Sequence, residues 1–131
     1  MNALTTDDEF AILTFVDILP GTRIQFTDAK FTTNSPEQCS GGLTWTAPAA
    51  GVASGSVIAI KNDLPSVNIG SLTGAKFGLS SGGDQVIVYT GTNASPKHIT
   101  ALSSNQWLTA NTVCSGSTSM LPSSLTNATN A

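Results

Sequence analysis

The residues of this chain that could do chemistry are few. Gly78-Leu79-Ser80-Ser81-Gly82 matches G-x-S-x-G, the pattern that sets a nucleophilic serine on a strained strand-to-helix elbow. Here an apolar strand-like run, Val86-Ile87-Val88-Tyr89, follows where the elbow needs a helix, so the match reads as coincidence. His98 is the one histidine. A triad would need it beside the serine and an orienting carboxylate. It sits instead between Lys97 and Ile99 just after Pro96, which reads as a surface residue at a strand start. The sequence carries no phosphate loop and no ligand cluster of catalytic spacing. The expectation is a protein that is not an enzyme, with a hydrolase using Ser80 as the alternative.

The acidic residues offer a second chemistry. Asp7, Asp8 and Glu9 form the only acidic run, and with Asp28, Glu37 or Asp84 they could supply hard oxygen ligands to Ca²⁺. No EF-hand loop or G-G-x-G-x-D repeat is present, so the competing reading is solvated charge flanking a strand. Calcium is thus the one cofactor to consider, through Asp7, Asp8, Glu9, Asp28 and Asp84. Among the aromatic residues, Trp107 lies in a polar context and is the candidate for an exposed, sugar-stacking ring; the others sit within strands and read as core. Asn93-Ala94-Ser95 and Asn127-Ala128-Thr129 are formal glycosylation sequons.

Composition narrows the setting. Charged residues make up 10% of the 131 positions, against about a quarter in ordinary domains, so the polar surface must be mostly Ser, Thr, Asn and Gly. Such a surface suits extracellular proteins and close-packed assemblies, where like charges would repel. Arg23, Lys30, Lys61, Lys76 and Lys97 are dispersed and the net charge is −3, which argues against nucleic acid as a partner. No apolar run is long enough for a membrane span, and no signal-peptide pattern is present. Cys39 and Cys114 lie in Ser/Gly-rich loops outside the strands. In an extracellular setting they read as a disulfide rather than two buried thiols. That bond would close a 75-residue separation (114 − 39); loop entropy then gives about 4 kcal/mol of stabilisation.

The elements that would position these residues are strands. Residues 10–16 read as a strand apolar on both faces. Leu19-Pro20-Gly21-Thr22 is a turn, and Arg23–Thr27 alternates with Ile24 and Phe26 inward, so the two strands suggest a hairpin. Residues 28–42 form a long loop. Leu43–Thr46 and Ser56–Ile60 are strands, and Val67–Phe77 holds one short edge strand. The organising stretch is Gly78–Gly91, a Gly/Ser turn running into Val86-Ile87-Val88-Tyr89, read as the central strand. Residues 97–102 supply a last strand. Residues 103–131 are polar and weakly anchored, with Trp107, Leu108, Met120 and Leu121 as core anchors. No helical period persists, so the expectation is one all-β domain over 1–131, an antiparallel β-sandwich with residues 1–8 as a lead-in.

Several of these stretches also carry a resemblance. Asp8-Glu9-Phe10 opens an apolar strand, Ile18–Asp28 follows, then Leu43-Thr44-Trp45-Thr46-Ala47-Pro48 and Leu79–Val86. Together they resemble a bacterial secreted or surface domain, similar in layout to the lamin-tail immunoglobulin-like sandwich. The likeness covers roughly Asp8 to Gly91, with a weaker echo in Leu121 to Ala131. It implies an Ig-like sandwich, export to the extracellular space or cell surface, and a structural or adhesive role; it implies no catalytic residues. Such domains have an apolar strand before the position of Met1 and another after Ala131. Two readings follow: the flanking strands lie outside this sequence, or another molecule supplies them. The second makes the protein a homopolymer, the subunit of an extracellular filament, sheath or matrix built partly by strand exchange. Its contacts would be Met1, Asn2, Ala3 and Leu4, and Leu121 and Leu125 in the tail. The rival function is a calcium-dependent or carbohydrate-binding adhesion module with a surface glycan as partner.

Overall fold

Ile24 and Phe26, like Leu43 and Trp45, alternate with polar residues at a period of two, and the backbone realises that period. The computed structural model describes residues 8–32, 35–36, 42–109 and 117–129. Among them there is no helix. Ten strands form: β1 (Glu9–Leu13), β2 (Arg23–Thr27), β3 (Phe31–Thr32), β4 (Ser35–Pro36), β5 (Gly42–Thr46), β6 (Val57–Lys61), β7 (Ser66–Val67), β8 (Ser71–Ala75), β9 (Gln85–Thr92) and β10 (Ser95–Ser103). They build a three-stranded sheet, β1-β6-β7, and a five-stranded sheet, β10-β9-β2-β5-β8, with β3 and β4 as a small separate pair. Every ladder is antiparallel. This is an all-β sandwich, compatible with an Ig-like layout.

The inner faces of the two sheets make the main core. Phe10, Ile58 and Ile60 come from the small sheet; Ile24, Phe26, Leu43, Trp45, Val86 and Val88 come from the large one. The Phe10 ring lies 5.2 Å from Phe26 and 6.1 Å from Phe77. A second, smaller core covers the outer face of the large sheet, where Phe31, Ile87, Tyr89, Ala101 and Leu125 pack with Trp107 and Leu121. The two cores explain the organising stretch: Val86 and Val88 point into one, Ile87 and Tyr89 into the other. A strand covered on both faces carries a continuous apolar run rather than an alternating one.

Four expectations need correction. Residues 10–16 do not form one strand apolar on both faces. The strand ends at Leu13, Ala11 and Leu13 are exposed, and Phe15 and Val16 stand 83% and 70% exposed in the following loop. The strands before and after Leu19–Thr22 do not make a hairpin, because β1 pairs with β6 in one sheet and β2 with β5 and β9 in the other. The middle of the large sheet is β2, with β9 beside it. Trp107 is partly buried on the second core and is not a free ring. In the C-terminal segment Leu108 bridges Met120, the Met120 N–H donates to the Phe31 carbonyl at 3.2 Å, and Leu125 is buried.

Candidate functional site

The two sides of the sandwich end differently. On the side of β7 and β8 the chain itself crosses between the sheets through residues 68–70. Asn68 completes β6 with its side chain: Oδ1 accepts from the Ala59 N–H at 2.8 Å, and Nδ2 donates to the Val57 carbonyl at 2.9 Å. Trp45 Nε1 donates to the Ile69 carbonyl at 2.6 Å, and Gly70 sits against that indole with φ +85°. A Cβ at Gly70 would meet Trp45 Nε1 at 2.6 Å, so this closure requires glycine.

On the opposite side no described segment crosses. β1 is an edge of the small sheet and β10 an edge of the large one. Between them runs an apolar groove of about 860 Å³. Ile24, Val86 and Val88 line it, together with β1, the loop Thr14–Leu19, Thr129 and the β10 residues Ile99–Leu102. Among the described residues eight large apolar side chains are well exposed, and six of them line this groove: Leu13, Phe15, Val16, Leu19, Ile99 and Leu102. A seventh, Val57, is the cross-strand partner of Leu13. Among the described lining residues Asp17 is the one that is charged. Among the described residues, apolar exposure is therefore concentrated in one place.

The free edge of β1 can be read residue by residue. The Asn62 N–H donates to the Asp8 carbonyl at 2.8 Å and the Thr14 N–H to the Ser56 carbonyl at 3.0 Å. Hydrogen-bonded pairs alternate along an antiparallel ladder. Asp8, Phe10, Ile12 and Thr14 thus point their backbone groups at β6. Glu9, Ala11 and Leu13 point theirs outward, beside the groove.

A buried polar strap closes the end of the sandwich where β1 begins. Asn62, fully buried, accepts from the Phe77 N–H at 3.2 Å with Oδ1 and donates to the Phe77 carbonyl with Nδ2. Asp8 Oδ2 accepts from the Leu79 N–H at 2.8 Å. Asp84 accepts from the Ser80 N–H with Oδ2 and from the Gln85 N–H with Oδ1, both at 2.8 Å. Asn62 and Asp8 from outside the loop 77–85, and Asp84 from within it, thus bond its backbone. Burial, and then the neighbouring Asp8 charge, raises the Asp84 pKa above the usual 3.8, against the lowering effect of the Ser80 and Gln85 N–H bonds.

Asp8 and Asp84, both proposed as calcium ligands, are brought together by this strap. Asp28 is buried, and its carbonyl accepts from Gln85 Nε2. Glu9 is exposed and lies across from Lys61. Among the described residues no three His, Cys, Asp or Glu side chains converge on a point that could hold a metal. Asp8 Oδ1 is buried and has no hydrogen-bond partner among the described residues. Asp7, Met1, Asn2, Ala3, Leu4, Cys39 and Cys114 lie outside the described residues, and so does the disulfide. Leu121 and Leu125 pack in the second core of their own chain.

Ser80 lies in the turn before β9, where its Oγ accepts from the Gly82 N–H at 3.2 Å. His98 is not beside it. The imidazole lies edge-on to Phe31 at 4.9 Å and near Tyr89 at 6.4 Å, and Nδ1 is 2.9 Å from Ser124 Oγ. Burial lowers its pKa below 6.5. The groove itself was not legible in the sequence as a site. Its available signal was Leu13, Phe15, Val16 and Leu19 around a short strand, and that run reads equally well as core. No protein-family model, curated protein or solved structure matches the chain.

Proposed function

We propose that this protein is a non-enzymatic structural subunit of an extracellular filament, sheath or surface matrix, assembled partly by strand exchange. One observation carries the reading: among the described residues, a largely apolar groove, with Asp17 its one charged lining residue, runs between two sheet edges that no described strand pairs and holds six of the eight well-exposed large apolar side chains. An open edge beside an apolar floor is satisfied on both counts by one added strand, which restores the ladder and covers the core. A head-to-tail contact of this kind propagates into a fibre unless its rotation closes a ring. The low charge density supports dense packing of copies. The resemblance to secreted and surface lamin-tail-like domains of bacteria supports the extracellular setting. Electron microscopy and sedimentation velocity of the purified protein over a wide concentration range test the reading. Concentration-dependent polymers are expected; a monomer at every concentration overturns it.

The second reading is a calcium-dependent or carbohydrate-binding adhesion module. What favours it is the buried, unpartnered Asp8 Oδ1 close to Asp84. Against it, the other oxygens of that pair already accept three backbone N–H groups.

A further inference from the structure

The groove has an open edge, a floor and a charge character, and these constrain what can fill it. The ladder partner must be an extended segment, because the backbone groups of Glu9, Ala11 and Leu13, which point away from β6, repeat at every second residue along β1. It must be uncharged, because Asp17 is the one charge in the lining and Ile24, Val86 and Val88 form an apolar floor. Its length is set by β1, five residues or about 17 Å.

We propose that the occupant is Met1–Thr6 of a second copy of this chain, added as a strand on the free edge of β1. This rests on the assembly reading above. Met1–Thr6 and Leu121–Ala131 are the two segments to compare as donors. Leu121 and Leu125 are already packed in their own second core, which leaves the tail only polar residues and Ala128 and Ala131 to offer. Met1–Thr6 has no charged side chain, carries Met1, Ala3 and Leu4, and extends to about 20 Å. The segment joins the sandwich at Asp8, whose backbone is still bonded to Asn62 and to Asp63 Oδ2. To reach its own groove it would have to reverse within Thr5-Thr6-Asp7. Two-residue hairpin turns need positive φ, which Gly, Asn and Asp supply and β-branched threonine resists. Entry into another copy needs no reversal. Because donor and acceptor are different surfaces, the contact is heterologous and each copy can both give and receive.

The test places a photo-crosslinking benzophenone amino acid at Leu4 and refolds ¹⁵N-labelled and unlabelled full chains together. The expected product is a mixed-isotope crosslink from position 4 to peptides holding Phe10–Leu19 or Ile99–Leu102. Two substitutions should each cut its yield by about tenfold or more. Ala11→Pro removes an N–H that points away from β6, so the ladder of the monomer stays intact. Leu102→Lys puts a charge in the groove at a side chain that is 48% exposed. Circular dichroism and Tm of both variants should match the parent. Crosslinks confined to same-isotope pairs show the segment filling its own groove and overturn the proposal. Polymers whose crosslinks map elsewhere, or survive both substitutions, also overturn it while leaving the assembly reading standing. A protein that stays monomeric removes both.

Discussion

The two sides of this sandwich differ in what finishes them. On the β7–β8 side, the chain crosses between the sheets, the Asn68 side chain stands in for a strand, and the Trp45 indole is fixed to the Ile69 carbonyl. On the β1–β10 side, the same two sheets end at edges that no described strand pairs, with apolar residues between them. Both sides share one core and one chemistry of strand pairing. The difference teaches that the open side is not a failure of the sequence to make a core; the side chains for one are present at Leu13, Phe15, Leu19 and Leu102, without a strand among the described residues to cover them.

Substitutions should separate the sides sharply. Trp45→Ala on the closed side empties a fully buried position and frees the Ile69 carbonyl. It should cost about 3–5 kcal/mol in urea unfolding. Asn62→Ala strands the Phe77 N–H and carbonyl in a buried strap and should cost about 2–4 kcal/mol in the same assay. Phe15→Ser on the open side removes a ring that is 83% exposed. Monomer stability should change by no more than about 0.5 kcal/mol, while assembly followed by light scattering should fall. If Phe15→Ser destabilises as Trp45→Ala does, the groove is part of the monomer's own core and the contrast is broken.

Protonation sharpens a second difference, between the strap and the second core. His98 has a lowered pKa in the folded state, so the unfolded chain binds the extra proton more tightly. Its contribution is present above pH 6.5 and is lost as pH falls from 6.5 through the folded value. Asp84 has a raised pKa, so the folded state binds its proton more tightly. Its share runs the other way: stability rises as pH falls from above the folded value toward 3.8. His98→Gln should flatten the slope just below pH 6.5, and Asp84→Asn should flatten the slope of opposite sign at lower pH. Thermal melts across pH check both. The smallest effect expected is that of a chelator. With no three ligands converging among the described residues, EDTA should leave Tm unchanged; a drop would favour the calcium-dependent reading.

Much of the fold could be read from side-chain period. Ile24 and Phe26, and Leu43 and Trp45, face inward as their alternation requires, and Val86–Tyr89 is apolar throughout because it serves two cores. What could not be read was which edges pair. Leu19-Pro20-Gly21-Thr22 is a sound turn, yet it carries the chain from one sheet to the other, since local turn chemistry does not encode the partner of β1. Exposure along 13–16 was hidden for a related reason: an apolar run looks the same whether its own chain covers it or another does. The carboxylates Asp8 and Asp84 were singled out for calcium, but Asp8 bonds the Leu79 N–H across 71 residues, a tertiary approach no spacing rule reveals, and Asp84 bonds the Ser80 N–H within its own loop.

The central claim is that the free edge of β1 takes a strand from a second molecule, and amide hydrogen exchange reads that edge directly. In dilute protein the Ala11 and Leu13 N–H groups, which point away from β6, should exchange fast, while Phe10 and Ile12 are protected by the β6 ladder. Raising the concentration into the assembled range should slow Ala11 and Leu13 by about tenfold or more and leave Ile58 and Ile60 unchanged. Assembled protein in which Ala11 and Leu13 exchange as fast as in the monomer would contradict the account.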